Sequence, residues 1–166
     1  MIRTRAAVIA SLAVLLPACD ATSHTSDPTA ARPSGAVSLS TSPVAGLGTV
    51  VVNLQGRTLY TFARDKAKKV TCTGRCAQLW RPLKLTAKQE PSMSGGVEAS
   101  LVSSDPDPAG GRVVTYAGWP LYVYAADQAA GSLHGQALTS SGGAWYAISP
   151  SGTVIRTRVE RNDTIY

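Results

Sequence analysis

The sequence is short of charge, and acidic residues are scarcer than basic ones. Charged residues make up 16% of the 166 residues, with 16 lysines and arginines and 10 aspartates and glutamates. Beyond the leader no apolar run approaches the roughly 20 residues that a membrane-spanning helix needs. The length allows one globular domain with a leader and a linker. We therefore expect one folded core, soluble apart from any anchor.

The sequence also lacks the familiar catalytic signatures. It contains no G-x-S-x-G elbow, no P-loop, no H-E-x-x-H and no dinucleotide fingerprint. Ser132 and His134 follow Asp127 and supply the residue types of a catalytic triad, but closeness in sequence says nothing about triad geometry. The prediction is a protein that is not an enzyme and needs no cofactor. An enzyme would require activity that depends on Asp65, Asp127 or His134.

What is present at the start is an export signal. Residues 1–18 combine two arginines, Arg3 and Arg5, with the apolar stretch 6–16, as in a signal peptide. The run Leu16-Pro17-Ala18-Cys19 resembles the lipobox of bacterial lipoproteins. This predicts a palmitate-type lipid anchor on Cys19 at the extracytoplasmic face of the cell membrane. A secretory peptide cleaved elsewhere is the alternative.

After the anchor, composition divides the chain into a linker and a domain. Residues 19–47 are rich in Ser, Thr, Pro, Ala and Gly without periodicity, which predicts a flexible tether. Its histidine, His24, is expected to be solvated. From Gly48 the pattern changes to short stretches of valine, threonine and tyrosine between glycine-containing turns. We predict an all-β or mostly β domain over 48–166.

The domain contains an internal duplication. The segment 56–65 aligns without a gap on 118–127, and each copy follows a valine-rich stretch, so that two similar β-hairpins are predicted. Trp80 and Trp145 occupy comparable later places. The predicted repeats cover about 48–83 and 112–150. Further strands are expected at 97–103, 144–148 and 153–159, with one helical turn at 77–80.

Each copy carries a tyrosine followed five residues later by an aspartate, namely Tyr60 and Asp65, then Tyr122 and Asp127. Aromatic residues two apart on a strand share one face, and we expect them to pack between strands. Leu59 and Leu121 are then expected on the opposite face. Each aspartate falls where its strand ends and is expected to fix the turn through backbone amides. Alternatively, the two carboxylates could form one pair that holds a hard cation or does acid–base chemistry.

The repeated Tyr-x4-Asp motif resembles the bacterial secreted-repeat lipoprotein family. The likeness runs from about 48 to 150 and includes the Cys72 to Cys76 segment and Trp80-Arg81-Pro82-Leu83. The function of that family is unknown. The resemblance implies an exported or lipoprotein domain, and it implies no reaction, cofactor or partner.

Cys72 and Cys76 are the only pair of cysteines beyond Cys19. Outside the cytoplasm they should form a disulfide, worth about 2 kcal/mol for so short a loop. The alternative is a redox or copper site, for which only His134 and Met93 are available in the domain.

Basic residues cluster in two places, and this determines which partners are plausible. The first cluster leads into the cysteine loop and the second lies near the C-terminus: Arg64, Lys66, Lys68, Lys69 and Arg75; Arg156, Arg158 and Arg161. Export argues against nucleic acid and favours anionic lipid, cell-wall polymer or envelope proteins. A solvated face is the simpler interpretation. The leading hypothesis is a non-enzymatic envelope interaction module, and the alternative is a ligand- or metal-binding, possibly redox, accessory protein.

Overall fold

The computed structural model describes residues 36–65 and 69–159, and these residues form short strands with one short helix. The helix α1 spans Arg75–Leu79, and a 3-10 helix spans Ala99–Leu101. The predicted signal peptide, Cys19 and His24 lie outside the described residues. The strands in chain order are β1 Ser38–Val44, β2 Gly48–Asn53, β3 Leu59–Phe62, β4 Trp80–Pro82, β5 Lys84–Leu85, β6 Ser92–Met93, β7 Val102–Pro106, β8 Arg112–Tyr116, β9 Trp119–Pro120, β10 Tyr122–Tyr124, β11 Leu138–Ser140 and β12 Gly143–Ala147.

The central five-stranded sheet shows how the two copies fit together. Its strand order is β11-β12-β3-β10-β4. The middle strand β3 and its neighbour β10 are the tyrosine strands, and they run antiparallel with Tyr60 opposite Tyr122. On either side, the tryptophan strand of one copy pairs with the tyrosine strand of the other, so that Trp145 lies opposite Phe62 and Trp80 opposite Tyr124. Neither copy therefore forms its part of the sheet alone.

Both faces of the central strands are buried, which gives two apolar clusters. Side chains alternate between the faces of a strand, as its period of two requires. Tyr60 and Phe62 pack in one cluster with both tryptophans, whereas Leu59 packs in the other. In the second copy Tyr122 belongs to the first cluster and Leu121 to the second. The predicted opposition of tyrosine and leucine faces is confirmed.

Two smaller sheets flank the central one in equivalent positions. Antiparallel hairpins form from β1 with β2 and from β7 with β8. The Val51 amide donates to the Ile148 carbonyl and the Val114 amide to the Leu83 carbonyl, both at 2.9 Å. Each hairpin is thus joined to the segment after the other copy's tryptophan. Within the described ranges, no helix has the length and apolar character needed to cross a bilayer.

The predicted tether ends too late, and the domain begins before residue 48. Residues 38–44 form β1, which pairs with β2 from Leu39 to Val44 and buries Leu39 completely. The polar residues in the middle of β1, 40–42, are half-buried, while the three valines of β2 are buried. The polar composition of β1 therefore does not indicate a strand, because β1 is stabilised by its pairing with β2. The remaining tether residues, 19–35, lie outside the described residues.

Two predicted strands are displaced or missing. The expected strand at 97–103 is instead β7, which begins at Val102 and is preceded by the 3-10 helix. The Glu98 amide, just before that helix, donates to the Tyr116 hydroxyl, and the Leu101 amide donates to the Glu98 carbonyl. The expected strand at 153–159 is reduced to a bridge between Val154 and Ile148. There the side-chain amide of Gln136 donates to the carbonyls of residues 155 and 157, in the place that a neighbouring strand would take. The helical turn predicted at 77–80 falls within α1 up to Leu79, and Trp80 instead begins β4.

The tight packing around Gly135 gives a test of the fold. A Cβ added there would lie 2.8 Å from Tyr60 Cζ and 2.9 Å from Trp80 Cη2, both in fully buried side chains. We expect Gly135→Ala to lower the free energy of unfolding by about 1–3 kcal/mol, because a packed core accepts extra volume only with strain. Urea unfolding measures this. The matched control is Gly96→Ala, whose Cβ would meet its nearest atom at 3.6 Å, and equal loss in both variants would contradict the packing described.

Candidate functional site

The duplicated motif forms two buried hydrogen bonds that cross between the copies. The Tyr60 hydroxyl donates to Asp127 Oδ2, and the Tyr122 hydroxyl donates to Asp65 Oδ2, each at 2.5 Å. All four side chains are completely buried. The tyrosine of each motif therefore bonds to the aspartate of the other motif and not to its own.

The second oxygen of each carboxylate holds the chain that follows its strand. Asp65 Oδ1 accepts hydrogen bonds from the Thr71 amide at 2.9 Å and from the Thr71 hydroxyl. Asp127 Oδ1 accepts from the His134 amide at 2.9 Å and contacts His134 Nδ1 at 3.0 Å. Each aspartate thus fixes a turn through a backbone amide and also receives the tyrosine that crosses from the other copy.

The aromatic side chains stack in a row centred between the copies. Trp80 and Trp145 lie parallel with ring centroids 3.9 Å apart. Phe62 stacks on the outer face of Trp145, and Tyr124 stacks on the outer face of Trp80, at 4.2 and 4.3 Å. The motif tyrosines meet the same tryptophans edge-on. The aromatic pairs predicted from their spacing are therefore core packing.

This environment strongly favours neutral tyrosines. Burial, followed by the charge of Asp127, raises the pKa of Tyr60 well above its usual value. Burial and the hydrogen bond to Asp65 do the same to the pKa of Tyr122. A buried hydroxyl that must donate to a carboxylate serves as a fixed structural donor at physiological pH.

The arrangement separates the two aspartates. β3 and β10 run in opposite directions with their tyrosines side by side, so the aspartates that follow these strands lie towards opposite ends of the pair. Each carboxylate has its own partners. Among the described residues, no group of three or more His, Cys, Asp or Glu side chains could hold a metal ion. The geometry gives no support to a shared cation site at Asp65 and Asp127.

The disulfide predicted from the two close cysteines is confirmed. Cys72 and Cys76 are joined, with their Cα atoms 5.2 Å apart. Cys72 follows Thr71, the residue that Asp65 holds, and is 2% exposed in the aromatic cluster. The disulfide therefore links the turn that Asp65 fixes to helix α1, which leads into Trp80. Cysteines joined in this way offer no thiolate to a metal.

Three residues complete the hydrogen-bonding networks: Thr71 and Gln136 were not singled out from the sequence, and His134 was considered only as a triad or metal residue. Thr71 and His134 occupy the same structural role six and seven residues after their aspartates, but they share no chemistry that would mark them. Gln136 is 5% exposed, and its side chain also accepts from the Ala147 amide at 2.8 Å. Of the triad residue types, Asp127 and His134 are in contact, while the Ser132 carbonyl accepts from Thr58 Oγ1.

Comparison with known proteins agrees with the duplication. A family model described as a secreted repeat of unknown function matches the chain twice, at residues 44–84 and 105–149. Each match contains one Tyr-x4-Asp motif and one of the stacked tryptophans. Neither the curated proteins nor the solved structures contain a significant match to the chain.

The raised tyrosine pKa values predict a loss of stability at high pH. The unfolded chain releases the tyrosine protons near pH 10, whereas folded Tyr60 and Tyr122 keep them. Their contribution is complete below about pH 10 and falls above it, by up to about 1.4 kcal/mol per pH unit for each tyrosine. Urea unfolding between pH 9 and 11 should show this slope, and the Tyr60→Phe/Tyr122→Phe variant should show a smaller one.

The control for this experiment is Tyr146→Phe, which removes a half-buried tyrosine whose ring contacts Arg156. Equal slopes in the double variant, this control and the unaltered chain would show that Tyr60 and Tyr122 are not the source of the pH dependence.

Proposed function

Since the chain belongs to the family of secreted repeats of unknown function, we propose that it is a lipid-anchored, non-catalytic interaction module of the cell envelope. In this proposal Cys19 carries the anchor, and the duplicated domain is held at the extracytoplasmic face of the cell membrane. The domain presents a basic surface that contacts anionic lipid headgroups.

The observation that carries the proposal is the burial of most acidic side chains. Four of the six carboxylates among the described residues are buried, namely Asp65, Asp105, Asp107 and Asp127. Asp65 and Asp127 bind the crossing tyrosines, and Asp107 Oδ2 lies 2.7 Å from Lys84 Nζ. Most of the acidic side chains are therefore buried and add little negative charge to the surface.

The surface that remains is strongly basic. Among the described residues the only exposed acidic side chains are Glu90 and Glu98. Against these two stand eight exposed basic side chains: Arg64, Lys69, Arg75, Arg81, Lys84, Lys88, Arg156 and Arg158. A basic residue near an anionic leaflet contributes about 1 kcal/mol to membrane association. An anchored domain with this surface would be drawn towards the membrane that holds it.

The non-catalytic part of the proposal rests on the motif itself. Its tyrosines and aspartates are buried in bonds to one another and to the backbone of the turns. Residues engaged in this way define a scaffold and leave recognition to the surface, where the two copies differ.

Vesicle binding tests the proposal directly. The chain without residues 1–19 should sediment with vesicles of phosphatidylglycerol and phosphatidylcholine but not with phosphatidylcholine alone. Raising the salt concentration should release it, because screening weakens the attraction. The triple variant Arg64→Gln/Lys69→Gln/Arg75→Gln should bind at least about tenfold more weakly, since each charge is worth about 1 kcal/mol.

The matched control keeps the charges in place, as Arg64→Lys/Lys69→Arg/Arg75→Lys, and should bind like the unaltered chain. Equal sedimentation with neutral and anionic vesicles, or no sedimentation with either, would refute the lipid-binding proposal. Binding to an anionic cell-wall polymer without vesicle binding would also refute it.

A further inference from the structure

A cavity of about 320 Å³ lies beside the second repeat, and it has mixed polar and apolar walls. Its polar lining includes Arg112, Glu90 and Ser104, and its apolar lining includes Met93 and Val102. We propose that this cavity binds a small amphipathic carboxylate, with the carboxylate on the Arg112 guanidinium and the apolar chain against Met93 and Val102. None of the eight exposed basic residues of the proposed function lines this cavity.

The guanidinium of Arg112 has one edge that is only partly used. Nη1 donates to Ser104 Oγ at 3.0 Å, and Nη2 donates to the Gln89 carbonyl at 2.6 Å. On the remaining edge Nη2 contacts Glu90 Oε1 at 3.1 Å, while the buried Nε has no hydrogen-bond partner among the described residues. Nε and Nη2 form the parallel pair of donors that a carboxylate accepts with both oxygens.

The present partner of that edge is easily displaced. The Glu90 side chain is 77% exposed, whereas that of Arg112 is 30% exposed. An ion pair with so exposed a partner contributes little to stability. A ligand carboxylate that replaced Glu90 would satisfy Nε as well as Nη2. In this proposal the Glu90 side chain leaves Nη2 and turns into solvent when the ligand binds, and the ligand reaches Nε through the same movement.

The apolar part of the cavity indicates the size and character of the ligand's apolar group. Met93 is one of the two large hydrophobic side chains that are exposed among the described residues, at 44%. Methionine adapts its shape to different apolar partners. The volume lies at the lower end of the range of ligand sites, which fits a short aliphatic or similarly compact group.

Comparison of the two repeats shows that the fold does not require this arginine. In the first hairpin Pro43 lies opposite Thr49, and in the second Pro106 lies opposite Arg112. The two prolines and the two hairpins correspond, and the first copy forms its hairpin with a threonine in the position of Arg112. The guanidinium is thus a feature of one repeat, as expected for a binding group added to a duplicated scaffold.

Titration with hexanoate tests the inference, and hexanamide is the neutral comparison. Amide spectra of the ¹⁵N-labelled chain without residues 1–19 should show saturable shifts at Met93, Val102–Ser104 and Arg112, with a dissociation constant on the order of 1 mM. Hexanamide should bind at least about tenfold more weakly. Absence of saturable shifts up to 50 mM hexanoate, or equal binding of the amide, would overturn the proposal.

Two variants separate binding from a merely structural role of Arg112. Glu90→Gln removes the competing carboxylate and should tighten hexanoate binding two- to tenfold, whereas the same change at exposed Glu98, outside the cavity lining, should not. Ala99→Phe adds a ring at an exposed residue of the cavity lining and should abolish binding while amide dispersion is kept. If Glu90→Gln leaves the affinity unchanged, Arg112 is a structural clamp and the proposal fails. Both assays are done without vesicles, so their failure is distinct from failure of the membrane proposal.

Discussion

Each repeat depends on the other for the acceptor of its most deeply buried hydroxyl. Tyr60 donates to Asp127 and Tyr122 to Asp65, and all four side chains are excluded from water. A carboxylate or hydroxyl left without a partner in such a place costs about 1–3 kcal/mol or more. One repeat alone would therefore contain two buried polar groups whose partners lie in the missing half. Because of this dependence, the two repeats form one domain and not two.

The remaining architecture follows the same crossing pattern. The tryptophan strands exchange between copies, and the stacked rings run from Phe62 through Trp145 and Trp80 to Tyr124. Burying aromatic rings supplies much of the apolar stabilisation available to a small domain. In the first copy the disulfide reinforces the segment between the Asp65 turn and Trp80, and in the second copy His134 and Gln136 provide hydrogen bonds instead. The scaffold is symmetric in its core and asymmetric at its surface.

Much of the core could be predicted from the sequence, because the residues that form it follow local patterns. The gap-free match of 56–65 with 118–127 located both tyrosine strands, and the period of two placed Leu59 and Leu121 opposite the tyrosines. The exchange between copies could not be predicted, because spacing within a motif says nothing about which partner in space a side chain meets. β1 escaped notice because its side chains are mostly polar and its stability derives from β2. The cavity beside Arg112 depends on three separate segments that only the folded chain brings together.

Double-mutant cycles on the tyrosine–aspartate pairs test the crossed arrangement most directly. The four single changes are Tyr60→Phe, Tyr122→Phe, Asp65→Asn and Asp127→Asn, combined in pairs and measured by urea unfolding. The crossed hydrogen bonds predict coupling of about 1.5–3 kcal/mol between positions 60 and 127 and between 122 and 65, the size of a hydrogen bond to a charged group. Positions 60 and 65, and likewise 122 and 127, should be additive within about 0.5 kcal/mol. Coupling inside each motif, with additivity between motifs, would contradict the crossed arrangement of hydrogen bonds.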